Sequence, residues 1–166
     1  MNSQLIGAAG VFYVASELSM RGLVALPSIR NVKGADILVA DPEGRCFAFI
    51  QVKTSKSKVA FWPLGKSARE WRGRDCYYVF VRRVRGHFEA FLEKAATVEK
   101  EAKSASRLAL KRRCKKWGLS WTMTGIYAAP GAEKRARRHW EEFGPKTIRS
   151  GEQGRQGPAG SRDVLI

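Results

Sequence analysis

The residues of this chain that can do chemistry gather in one short stretch. Asp36 stands just before an apolar run, Ile-Leu-Val-Ala, and Gln51 and Lys53 close a second apolar run with one residue between them. A carboxylate together with an amide or main-chain carbonyl oxygen can hold a hard divalent cation such as Mg²⁺ or Mn²⁺. A lysine beside them can orient or deprotonate water and stabilise charge on a phosphate. The combination is that of metal-assisted phosphodiester hydrolysis.

Asp36, Gln51 and Lys53 meet only if the chain folds back between them, and the residues in between favour that. Residues 37–40 and 46–52 are apolar and β-rich, and they flank Asp41-Pro42-Glu43-Gly44. Proline fixes φ and glycine tolerates positive φ, so the segment reads as the turn of a β-hairpin. A turn centred between Glu43 and Gly44 sets Asp36 opposite Gln51 and Gly34 opposite Lys53. Strand side chains alternate and directly opposed residues share a face, so all three polar residues converge at the open end. A slip of one residue would scatter them.

The surrounding elements follow from periodicity. Residues 4–21 carry apolar positions at Leu5, Ala8/Ala9, Phe12, Ala15 and Leu18, a helical spacing, with Gly22 as the stop. Gly7 and Gly10 cost helix propensity, and a close approach to a strand or to phosphate would account for them. Glu17 is this helix's only acid and reads either as a solvated residue of the polar face or as an acid serving the site. Residues 23–26 read as a short strand, 27–33 as a basic loop, 61–64 as a strand or extended edge, and 65–74 as a polar turn or short helix. Residues 76–81 are the clearest buried strand, 82–86 a basic turn, 87–91 a strand and 92–116 a long helix. Residues 117–129 show no clear pattern. A second basic helix spans 133–143, and from 144 the chain loses its apolar content, so a disordered basic tail is expected over 144–166. The fold class is then α/β (α+β), one domain over 1–143 with a core at 4–92 and a basic helical region at 93–143.

Lysine and arginine number 31 against 15 acids, a net charge of +16. Such an excess points to an acidic polymer as partner, most simply double-stranded DNA, because phosphate neutralisation dominates non-specific affinity. Residues 1–100 hold 16 basic against 9 acidic side chains, and residues 101–166 hold 15 against 6, so the later part is the more basic. Candidate backbone contacts are Lys33, then Ser55, Lys56, Ser57 and Lys58 just beyond the hairpin, then Lys111, Arg112, Arg113, Lys115, Lys116, Arg135 and Arg138. Trp117, Trp121 and Trp140 stack on bases or fill core. Cys46, Cys76 and Cys114 are widely spaced and read as thiols in a reducing compartment. His87 and His139 have no partner at ligand spacing. No apolar run reaches bilayer length and no basic leader opens the sequence, so a cytoplasmic protein is expected.

A helix, then a hairpin carrying Asp36 in Gly-Ala-Asp-Ile-Leu-Val and the triplet Gln51-Val52-Lys53, resembles the PD-(D/E)XK nuclease superfamily. The Gln-x-Lys form is similar to that of small bacterial nucleases and an intron-encoded homing endonuclease. The resemblance covers residues 5–92 and implies a restriction-endonuclease-like core, a mixed central sheet flanked by helices. It implies a metal-dependent DNA endonuclease using Mg²⁺ or Mn²⁺. Asp36 would be the principal ligand, Gln51 a neutral metal or water ligand, the Val52 carbonyl a further ligand and Lys53 the catalytic lysine. Relatives often carry Gly-Glu where this chain has Gly10-Val11, and Glu17, about 240° further round the helix, does not simply replace that acid. The alternative is a catalytically inactive protein of the same fold that binds nucleic acid or regulates a DNA-processing system. Cleavage of both strands would call for a homo-oligomer.

Overall fold

The first helix, α1 (Ser3–Met20), begins on a side-chain cap, Asn2 Oδ1 accepting from the Gln4 N–H at 3.0 Å. It ends where Gly22 takes φ +78°, a left-handed conformation that glycine adopts without strain, and the Leu23 N–H turns back onto the Leu18 carbonyl. The computed structural model describes residues 2–28, 34–45, 47–55, 61–64, 73, 75–101, 103, 124–127 and 130–152. Seven strands follow: β1 (Val24–Pro27), β2 (Ile37–Ala40), β3 (Phe47–Ser55), β4 (Phe61–Leu64), β5 (Cys76–Val84), β6 (His87–Lys94) and β7 (Thr124–Tyr127). Residues 95–101 are helical (α2), and α3 (Pro130–Glu142) and α4 (Pro145–Glu152) come later.

Five strands form one mixed sheet in the order β1-β2-β3-β5-β6. The pairs β1–β2, β2–β3 and β5–β6 are antiparallel and β3–β5 is parallel. Strands β4 and β7 make a separate antiparallel pair. One face of the large sheet packs Ile37, Val39, Ala48, Ile50, Val52, Val79 and Val81 against Val14, Ala15 and Leu18 of α1, with Trp140, Phe143 and Ile148 closing the end. Tyr78, Phe80 and Phe91 on the other face pack with Trp62, Leu64, Ala95, Val98 and Ala136. Trp62 is fully buried and its Nε1–H donates to the Val81 carbonyl at 2.9 Å, which latches β4 onto β5. The chain is an α+β fold, a mixed sheet flanked by helices, as the sequence led us to expect.

Several expectations need correction. The strand after the turn runs on to Ser55, so Lys53, Thr54 and Ser55 belong to β3, because β5 pairs with them as Phe80, Val81 and Arg82. The basic turn at 82–86 shrinks to Arg85 and Gly86, both at positive φ (50° and 90°), the geometry of a two-residue hairpin turn. Arg82 is a strand residue facing Glu89, with which it forms an ion pair. Residues 92–94 are strand where a helix was expected. Leu92 packs on the α1 side and Phe91 on the opposite side, and a strand buried on both faces shows no alternation of polarity. Residues 145–152, expected to begin a structureless tail, form α4, seated by buried Phe143 and Ile148 and by the Thr147 hydroxyl bonded to the Glu142 carbonyl. The expectations for 104–123 and 153–166, and for Cys46 and Cys114, lie outside the described residues. Cys76 opens β5 half-buried.

Candidate active site

The hairpin register is set by its turn. Asp41 is fully buried; its Oδ1 accepts from the Arg45 N–H at 2.7 Å and its carbonyl from the Gly44 N–H at 2.9 Å. Gly44 sits at φ +67°, where a side chain would be strained. The pairs are Ile37↔Ile50, Leu38↔Phe49, Val39↔Ala48 and Ala40↔Phe47, the register expected of a turn centred between Glu43 and Gly44.

Asp36 lies one residue before β2 and continues that ladder with both main chain and side chain. Its N–H donates to the Ile50 carbonyl at 2.8 Å, and its Oδ2 accepts from the Val52 N–H at 2.7 Å. The carboxylate is thus pinned against β3 at the level of Gln51. Ala48, Ile50 and Val52 point to the α1 side, and so does Thr54, against Gly10. Gln51 and Lys53 alternate with them and face the other way, where their β5 partners Tyr78 and Phe80 belong to the second cluster. Gln51 is buried and Lys53 half-buried.

Burial pushes the Asp36 carboxyl above its usual range, opposed by the Val52 N–H and by the Lys53 ammonium. Lys53 therefore stands within electrostatic reach of Asp36. The Tyr78 hydroxyl is pushed up to about 12 by burial, with the charge of Asp36 and then that of Cys76 adding to it. Tyr78 is 0% exposed, and among the described residues its Oη has no hydrogen-bond partner. From the sequence, Tyr78 reads only as part of the buried strand at 76–81. A tyrosine amid aromatic and β-branched neighbours was the available signal, but its place beside Gln51 follows from parallel β3–β5 pairing, which no local pattern encodes.

Other candidate residues lie elsewhere. Glu17 pairs with Arg21 at 3.4 Å, and the Arg21 guanidinium lies over the Trp140 ring and donates to the Trp140 carbonyl. Gly10, not Glu17, is the α1 residue against the site end of β3, and Glu17 is about 10 Å further along the helix at 1.5 Å per residue. Val11 packs against the core, and Trp140 fills it. Ser55 pairs with Arg82 at the end of β3. Arg135 is held by Glu93 at 3.0 Å and by Glu101 at 3.7 Å, while Arg138 is exposed on α3. His139 Nδ1 approaches Glu93 at 3.9 Å. Lys33, Lys56, Ser57, Lys58, Lys111, Arg112, Arg113, Lys115 and Lys116 lie outside the described residues, as do Trp117 and Trp121.

The donor set is oxygen-only with a single carboxylate. Among the described residues no three of His, Cys, Asp and Glu come together as a cage. An aspartate beside an amide, with an unpartnered buried hydroxyl nearby, fits a hard cation of the Mg²⁺ type. Such an ion retains several waters and takes one or two protein carboxylates. It does not fit a nitrogen- and sulfur-ligated ion such as zinc.

No protein-family model and no curated protein matches the sequence. Among solved structures, the chain is similar to Hjc, a Holliday junction resolvase from the archaeal hyperthermophile Archaeoglobus fulgidus, with a TM-score of 0.49 and 12% identity, over 82% of this chain and 97% of that one.

Proposed function

We propose that this protein is a metal-dependent nuclease that hydrolyses phosphodiester bonds in DNA. The observation that supports the reading is the hairpin, in which the half-buried Asp36 carboxylate accepts from the Val52 N–H, between Gln51 and Lys53, and lies within electrostatic reach of Lys53. Asp36 and Gln51, with the Val52 carbonyl, are the groups to hold a divalent cation. Such a cation supplies Lewis-acid polarisation of a phosphoryl oxygen and lowers the pKa of bound water. Asp36, fixed by the Val52 N–H, presents its carboxylate without having to reorganise. Lys53, on the next outward position of β3, contributes positive charge for the phosphate and a donor to orient the attacking water. The +16 charge and the exposed Arg138 supply backbone affinity, with Ser55 at the end of β3 as a further contact.

Purified protein with Mg²⁺ or Mn²⁺ is expected to nick plasmid DNA. Asp36→Ala and Lys53→Ala should each abolish nicking and leave DNA retention in a gel-shift assay largely intact. Binding without cutting, across metals and substrates, would refute the enzyme.

One observation favours a second reading, a catalytically inactive nucleic-acid-binding protein of the same fold. Asp36 is the single carboxylate of the site among the described residues, and Val11 and Glu17 of α1 add none to it.

A further inference from the structure

The strand pairings line up polar residues on three neighbouring strands: Gln51 pairs with Tyr78, and Tyr78 pairs with Glu93. Directly opposed residues share a face, so this row crosses the sheet on the side away from α1. Asp36, one residue before β2, is bonded to β3 on either side of Gln51, through the Ile50 carbonyl and the Val52 N–H. Asp36 is thus satisfied by the Val52 N–H, and Glu93 by Arg135. Tyr78, between them, is not. Its ring has an evident role, stacked on Phe80 at 5.7 Å and 7° within the second cluster, and phenylalanine would fill that place as well. The hydroxyl has none. It is wholly enclosed, without a partner among the described residues, and close enough to Asp36 to feel its charge. Buried hydroxyls are almost always bonded, so a lone one calls for an explanation, and a water or ion is one. Thr54 Oγ1 is also unpartnered, but it faces Gly10 on the opposite side of the sheet.

We propose that the Tyr78 hydroxyl is a positioning group for a hydrated divalent cation held by Asp36 and Gln51, accepting a hydrogen bond from one of that cation's waters. Water bound to a dication is a strong donor with its lone pair engaged, so what it needs from the surrounding protein is acceptors. Tyr78 Oη is a buried acceptor in the adjoining strand position. The proposal rests on the nuclease reading of Asp36 and Gln51 and adds a residue from a third strand to it.

The test is Tyr78→Phe, which removes the oxygen and keeps the ring. Thermal melting without metal and Mn²⁺ titration by calorimetry are compared for wild type, Tyr78→Phe and Asp36→Ala. A positioning role predicts that Tyr78→Phe melts no lower than wild type without metal, because no existing bond is lost, and that its Mn²⁺ affinity falls by about tenfold. The stabilisation that Mn²⁺ gives in the melt should shrink in parallel. An unchanged Mn²⁺ affinity overturns the role of Tyr78 while leaving the nuclease reading standing. A lower melting temperature without metal, or failure to fold, also overturns it, since the hydroxyl would then be part of the metal-free packing. If wild type and Asp36→Ala both ignore Mn²⁺, the cation site itself is refuted and Tyr78 falls with it.

Discussion

The two faces of the five-stranded sheet are built differently. The α1 face is largely apolar: Ile37, Val39, Ile50, Val79 and Val81 are all 0% exposed, under a helix that touches the sheet closely enough to need a glycine. The opposite face is divided. Aromatic residues lie under Trp62 along β5 and β6, whereas β2 and β3 carry Asp36, Gln51 and Lys53 with Phe47 and Phe49 partly open to solvent. Stability is concentrated on one face and the reactive groups on the other.

Substitutions that respect or breach this division should separate cleanly. The largest loss is expected from Ile50→Ala on the packed face, about 2–5 kcal/mol by denaturant unfolding, since a fully buried β-branched side chain leaves a cavity. Next is Gly10→Ala, at about 1–3 kcal/mol. A Cβ there would lie 1.9 Å from Thr54 Oγ1, so α1 must lift from β3, and Thr54→Ala added to it should restore part of the loss. On the reactive face the sign reverses. Asp36→Asn keeps an acceptor for the Val52 N–H and removes a carboxylate that burial makes hard to ionise. A carboxyl raised in the folded state loses stability as pH climbs from the ordinary carboxylate range through the raised value. Asp36→Asn should therefore melt higher than wild type at neutral pH and converge with it in acid, where both are uncharged. The smallest change in stability is expected for Lys53→Ala, within about 0.5 kcal/mol, because the side chain is half-exposed and its loss should register in cleavage alone. If Lys53→Ala instead unfolds the protein, the division between the faces fails.

Glu89 offers a check at the far edge of the sheet. Burial raises its carboxyl, but the Arg82 hydrogen bond and the charges of Arg82 and Arg137 outweigh this and hold it below its usual value. Its contribution is present above the usual carboxylate range and lost as pH falls through the depressed value, the opposite sense to Asp36. Glu89→Gln should flatten the acid limb of a stability–pH curve that Asp36→Asn leaves steep.

What the sequence made legible was local. The Asp-Pro-Glu-Gly turn encodes its own register through Asp41 and Gly44, so the pairing of 37–40 with 47–50 could be read before any coordinates. Gly22 marked the end of α1 for the same reason. What could not be read was non-local. The two-sided burial of 91–93 erased the alternation that identifies a strand, and the parallel pairing that brings Tyr78 beside Gln51 leaves no mark within either segment. The role of Ile148 was equally hidden, a single apolar residue in a Gly- and Arg-rich stretch that joins a core reaching back to Val14 and Leu18 of α1.

That last contact bears on how the protein is made. The α1 side of the core joins Val14 and Leu18 to Trp140, Phe143 and Ile148, and Arg21 is tied to the Trp140 carbonyl. During synthesis the first helix emerges more than a hundred residues before the ones that cover its end. The nascent chain must carry an open apolar surface until α3 and α4 have left the ribosome. A stop codon or proteolytic cut before residue 140 would deprive the N-terminal half of its lid and is expected to yield aggregate rather than a smaller working unit.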